Sequence, residues 1–129
     1  MIVSNGRVQL LRVAEYSSKQ KATEALQCGP FLVDRGKPVP GLNNTRPARR
    51  TFIATGGVDR AAIGLCSSVT LTELGKILAT PGVVSDLKVQ RALNFDGGSS
   101  SAFWFTGEHG PVSISEQKTV RNFVGVVAR

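Results

Sequence analysis

The residues best suited to chemistry lie in one short run, Asn94-Phe95-Asp96-Gly97-Gly98-Ser99-Ser100. A carboxylate at a strand end in front of a glycine elbow can attack a substrate directly or deprotonate a water. In extended backbone, Asn94 and Asp96 leave one face roughly 7 Å apart, and Leu93 and Phe95 leave the other. Gly97 and Gly98 allow positive φ or close approach of a ligand to the backbone. Ser99, Ser100 and Ser101 add hydroxyls and amides able to hold an anion or a sugar. The plain alternative is a β-turn, for which Asp-Gly is a favoured pair.

Cationic partners for such a carboxylate come from Arg46, Arg49 and Arg50, and from Arg121 beside Asn122 near the end of the chain. A guanidinium fork matches phosphate geometry, and Arg50 is the strongest candidate of the four. The competing reading of these arginines is a solvated basic loop and a surface arginine before a last strand. Gly29, in Gly29-Pro30, is either a turn or a backbone wall of the same cleft. His109 lies in Thr106-Gly107-Glu108-His109-Gly110-Pro111, which reads as a solvated hairpin tip and not as a catalytic base. Trp104, between Phe103 and Phe105, is expected to pack in a core or interface, with sugar stacking as the alternative.

The elements that must position these residues belong to one domain over residues 1 to 129, of 41% hydrophobic composition. Asn5-Gly6 turns a hairpin between Ile2-Val3 and Val8 to Val13. Ser18 to Gln27 carries Ala22, Ala25 and Leu26 at helical spacing and is expected to form a short helix, stopped by Gly29-Pro30. Phe31 to Val33 is a short strand, followed by an irregular loop through Pro47. Thr51 to Ala54 and Ala61 to Cys66 read as strands around Gly56-Gly57. Thr70 and Glu73 form a capping box in front of Leu71, Leu74, Ile77 and Leu78 on one helix face. Strands are further expected at Ala92 to Phe95, Ala102 to Phe105, Val112 to Ile114 and Phe123 to Val127. The sum is an α+β domain in which a strand-rich mixed sheet packs with one or two helices.

The net charge is +7, and residues 1 to 60 hold 10 Lys/Arg against 4 Asp/Glu, compared with 6 against 5 in the remainder. Such a field favours an anionic partner: a phosphate ester, a nucleic acid or an acidic membrane surface. Cys28 and Cys66 lack metal-ligand spacing, and with a single histidine no zinc set exists; the expectation is two small buried thiols, with a disulfide left open. No apolar run is long enough to span a bilayer, and the start lacks a secretory hydrophobic region, which leaves the compartment open.

Four segments occur in a telling order: Gln27-Cys28-Gly29-Pro30-Phe31-Leu32, Arg50-Thr51-Phe52-Ile53-Ala54, Thr70-Leu71-Thr72-Glu73-Leu74 and Asn94 to Ser100, with Arg121-Asn122 after them. This order resembles the phosphodiester glycosidase domain family, which includes the uncovering enzyme that removes N-acetylglucosamine from mannose 6-phosphate diesters. The resemblance runs over about residues 1 to 128. Ala54 stands for an expected Gly, Ser99 for a third Gly, and Arg121 directly precedes Asn122 where the family pattern separates the two. The family's opening segment, which helps form the cleft, is expected to be missing. Family members are often exported.

The resemblance implies hydrolysis of a sugar 1-phosphodiester. Catalysis would fall to Asp96, Arg50 and Asn94, and substrate binding to Arg49, Gly97, Gly98, Ser99, Ser100, Gly29, Arg121 and Asn122. Ordinary glycosidases use two carboxylates, one of them to protonate the leaving oxygen. A phosphate leaves more easily, since its second pKa is about 6, and mainly needs cationic clamping. The alternatives are a non-catalytic module binding a phosphorylated or anionic glycan and, third, a basic nucleic-acid-binding domain. The last is disfavoured because residues 1 to 60 hold only Tyr16, Phe31 and Phe52 as aromatics. No resident cofactor is implied. Asn94 and Asp96 are oxygen donors suited to calcium or magnesium but too few to form a site unaided. Uncovered strand edges point to a homodimer or other homo-oligomer.

Overall fold

The computed structural model describes residues 1–57 and 59–127. Its centre is a five-stranded sheet built from β4 (Phe31–Asp34), β5 (Lys37–Pro38), β6 (Ala48–Thr55), β7 (Ala61–Val69) and β8 (Arg91–Gly97), in the order β5-β4-β8-β6-β7. β1 (Ile2–Ser4), β2 (Arg7–Gln9) and β3 (Glu24–Ala25) form a second, small sheet. β9 (Phe103–Gly107) and β10 (Gly110–Ile114) form a separate hairpin. Each recorded pairing is antiparallel, so the mixed sheet expected from sequence is replaced by hairpins and antiparallel neighbours.

The central strands are apolar on both faces because both are covered. From β6 and β8, Phe52, Ala54 and Ala92 point into one core with Leu32, Leu74, Leu78, Leu87 and Val89. Ile53 and Leu93 alternate to the opposite face and meet Leu10, with Val8, Phe31 and Phe95 around them. The helix α1 (Leu71–Ala79) covers the first face. It starts as its sequence dictates: Thr70 Oγ1 accepts from the Glu73 amide while the Glu73 carboxylate accepts from the Thr70 amide. Gly75 lets the helix sit on β4, since a Cβ there would lie 2.8 Å from the Leu32 carbonyl oxygen.

Two expected elements do not form. Residues 18 to 27 make a turn and then β3, not a helix. The Ser17 hydroxyl and the Gln20 side chain accept local amides, and the Thr23 and Leu26 amides donate to Val3 and Met1 carbonyls. Local polar bonding of this kind competes with a helix that has no continuous apolar face to bury. Phe123 to Val127, expected as a closing strand, is irregular and exposed; strand propensity is realised only against a sheet edge or core. Two boundaries also shift. The first hairpin does turn at Asn5-Gly6, but β2 ends at Gln9 and a 3-10 turn occupies Val13–Glu15; the loop after β4 contains the short strand β5.

Cys28 flanks the core on one side of the central sheet and Cys66 flanks the core on the other; both thiols are free and half-buried, and burial raises the pKa of each. Among the described residues no helix is long and apolar enough to cross a membrane.

Candidate functional site

The Asn94 to Ser100 run spans the end of β8 and a 3-10 turn at Gly98–Ser100. Here β8 pairs with β6, and the register slips: Arg50 faces Gly97, yet Phe52 faces Asn94, so three steps along β8 match two along β6. Such a bulge re-aims side chains locally. Leu93 and Phe95 still share one face, while Asn94 and Asp96 differ in burial. Asn94 is only 5% exposed, whereas Asp96 is exposed to solvent.

Asn94 is gripped by the Gly29-Pro30 segment. Its Nδ2 donates to the Gly29 carbonyl at 3.3 Å and its amide to the Pro30 carbonyl at 3.0 Å. The Gly29-Pro30 peptide bond is cis. Gly29 presents its carbonyl to Asn94. Asn94 Oδ1 is buried and finds no hydrogen-bond partner among the described residues. A buried acceptor without a donor is costly, and a water or ligand hydroxyl would relieve it.

Asp96 is fixed through its backbone and left open at its carboxylate. Thr51 Oγ1 donates to the Asp96 carbonyl at 3.1 Å, and the Gly97 amide donates to Asp96 Oδ1 at 2.7 Å. Among the described residues no cation forms an ion pair with the Asp96 carboxylate. Thr51 was absent from the sequence-derived site; its place directly after Arg50 was the available signal.

Arg50 lies across the glycine next to Asp96. A Cβ on Gly97 would meet Arg50 Nη1 at 2.7 Å and the Arg49 carbonyl oxygen at 3.1 Å, so a side chain here would displace the guanidinium. Arg50 Nη2 donates to the Arg46 carbonyl at 2.9 Å, and Nε reaches the Val69 carbonyl at 3.5 Å, a marginal bond. These are neutral acceptors, so the guanidinium is oriented while its charge remains available. Arg49 Nη1 donates to the Ser115 carbonyl at 2.9 Å, and the Gln117 and Lys118 amides donate to the Ser99 carbonyl. Gly98 has φ +67, which only glycine adopts at no steric cost. Ser101, just beyond, is 1% exposed with an unpartnered hydroxyl.

The structure thus joins Asp96, Arg50, Arg49, Gly97, Gly98 and Ser99 in one neighbourhood, with Ser100 completing the turn. Arg121 and Asn122 stand apart in the exposed, irregular C-terminal stretch, where they make no hydrogen bond to the Asp96 segment. His109 occupies the β9–β10 turn, as expected. Trp104 does not pack in a core: it is 67% exposed. No cluster of three or more His, Cys, Asp or Glu side chains able to hold a metal occurs among the described residues. Two surface depressions, of about 350 Å³ at the β9–β10 tip and about 190 Å³ between β2 and the β6–β7 turn, both lie away from Asp96.

An α+β sheet domain presenting a lone carboxylate and neighbouring arginines at a glycine elbow is the class defined by this fold and site. The model of the phosphodiester glycosidase family matches residues 1–127, and the chain belongs to that family. Neither a curated protein nor a solved structure matches the chain.

Proposed function

We propose that the chain hydrolyses a sugar 1-phosphodiester at the Asp96–Arg50 site, releasing a free sugar and a phosphomonoester. The observation that carries this reading is the juxtaposition of opposite charges without neutralisation. Arg50 crosses Gly97 with only carbonyl partners, and one residue away Asp96 projects a carboxylate that no cation engages. A phosphate on Arg50, supported by Arg49, would fill that gap.

In the reaction the bond from the anomeric carbon to the phosphate oxygen breaks, and its electron pair leaves with the phosphate. Asp96 either attacks the anomeric carbon, giving a glycosyl ester that water then opens, or takes a proton from the attacking water. The hydroxyl of water ends on the sugar. The arginines stabilise charge growing on the leaving phosphate, which departs without a second carboxylic acid. Asn94 supplies a polar wall whose unsatisfied Oδ1 can accept from a sugar hydroxyl or an ordered water. Arg121 and Asn122 would join only if the C-terminal segment folds over bound substrate.

A single carboxylate cannot hold calcium or magnesium unaided, so the reading gives the phosphate to the arginines, and a chelator is expected to leave turnover unchanged. Self-association belongs to the same proposal. Phe123 and Val126 are 79% and 83% exposed, and β7 is an open edge of the central sheet, so two copies can cover both features. Light scattering at increasing protein concentration tests this.

Hydrolysis in heavy-oxygen water tests the bond assignment. Label in the anomeric hydroxyl is expected, whereas label in the phosphate would mean phosphorus–oxygen cleavage and contradict a glycosidase. The exposure of Asp96 to solvent favours one rival, the binding module for a phosphorylated glycan. Saturable binding of the diester without any hydrolysis would establish it.

A further inference from the structure

The β9–β10 hairpin is rooted at the site through both strands. At one root the Ser101 amide donates to the Gly98 carbonyl; at the other Arg49 holds the Ser115 carbonyl, and the Gln117 and Lys118 amides hold Ser99. Beyond the roots the hairpin carries two unlike faces. Phe103 pairs with Ile114 and Phe105 with Val112, which makes one face apolar, and the Phe103 and Phe105 rings meet edge-on at 5.7 Å. The alternate positions form the other face, where Trp104 faces Ser113 and Thr106 faces Pro111.

Trp104 is therefore a single large aromatic on the polar face of the hairpin. It sits one rung from the root pair Phe103–Ile114, exposed and engaged by no aromatic ring or cation among the described residues. Packing does not account for it, since no residue of the hairpin joins either core cluster. Its neighbours on that face are Ser113, directly opposite, and Thr106 and Pro111 one pair along the strands. An indole plate rimmed by hydroxyls suits a sugar ring, which is apolar on the faces of its C–H bonds and polar around its edge. Four residues of extended chain separate Trp104 from Ser100, a span of roughly 14 Å at most.

We infer that Trp104 is the platform on which the sugar of the phosphodiester stacks, making it a specificity-determining residue of the site; this rests on the proposed reading of Asp96 and Arg50. Because Trp104 is the chain's sole tryptophan, its fluorescence reports the contact without a label.

The test titrates the full chain with the methyl phosphodiester of N-acetylglucosamine and, as a sugarless control, with dimethyl phosphate, and reads acrylamide quenching before appreciable turnover. The sugar diester is expected to shield Trp104, and dimethyl phosphate to leave it open. Trp104→Ala is expected to raise KM about tenfold with kcat nearly unchanged and the melting temperature intact, while Trp104→Phe keeps most of the affinity. Turnover by the wild type without shielding, and with Trp104→Ala at wild-type KM, would overturn the platform and leave the hydrolase. Shielding without turnover would support the platform and sink the hydrolase. Neither shielding nor turnover would overturn both.

Discussion

Around Phe31 every charge has its opposite. Arg91 pairs with Glu15 at 2.6 Å and with Asp34 at 3.2 Å, Arg12 pairs with Asp34 at 2.7 Å, and both guanidiniums lie within 6 Å of the Phe31 ring centre. At the end of β8 the same residue types are left unmatched: Arg50 and Arg49 rest on carbonyl oxygens, and Asp96 meets only the next amide. The first arrangement joins the amino-terminal segment to the central sheet, since Arg91 on β8 also donates to the Leu10 carbonyl. The second has nothing to join. A guanidinium and a carboxylate kept oriented but unneutralised fit the proposed phosphate site, and the paired cluster shows that this chain can neutralise its arginines elsewhere.

The sharpest way to break the contrast is to disarm the unmatched side. Arg50→Lys keeps the charge but loses the planar fork, and kcat/KM for a sugar phosphodiester is expected to fall about 100-fold. Gly97→Ala works indirectly. Its Cβ would collide with Arg50 Nη1, so the guanidinium must move, and a loss of roughly 10-fold is expected in steady-state assays of the folded protein.

Disarming the matched side should instead touch stability. Arg91→Met removes the shared partner of Glu15 and Asp34, and differential scanning calorimetry is expected to show a melting temperature lower by about 5 °C with activity retained. The pH effect is smaller. The hydrogen bond from Arg91, aided by the Arg12 amide, holds the Glu15 carboxyl at about 2 against its ordinary 4.5. A folded-state pKa lowered in this way gives stability that is present above 4.5 and is lost as pH falls toward 2. Glu15→Gln should therefore lower stability modestly at neutral pH and flatten the acid limb, the two proteins converging as pH approaches 2. Its size is limited by the exposure of Glu15 to solvent.

Much of this was readable from local sequence. Asn5-Gly6 announced its hairpin, Thr70 with Glu73 announced the helix start, and the apolar runs of β6 and β8 announced strands. The strand-end carboxylate beside glycines was legible too. What was not legible depends on tertiary partners. Ala22, Ala25 and Leu26 look helical, but β1 offered its edge and captured β3. Phe123 to Val127 has strand composition and finds no neighbour among the described residues. The Arg91–Glu15 pair joins residues 76 apart in sequence, which no spacing rule anticipates. The burial of Asn94 follows from the Gly29-Pro30 segment that holds it, and the exposure of Trp104 from a hairpin that places no residue in either core cluster.

The most direct measurement compares wild type with Asp96→Ala on a panel of sugar 1-phosphodiesters, with melting curves recorded for both. The account predicts turnover by the wild type, a loss of about 1,000-fold or more in the variant and nearly equal melting temperatures, since Asp96 is exposed and its backbone is held by Thr51. Equal turnover by the two proteins would contradict it and remove Asp96 from the chemistry.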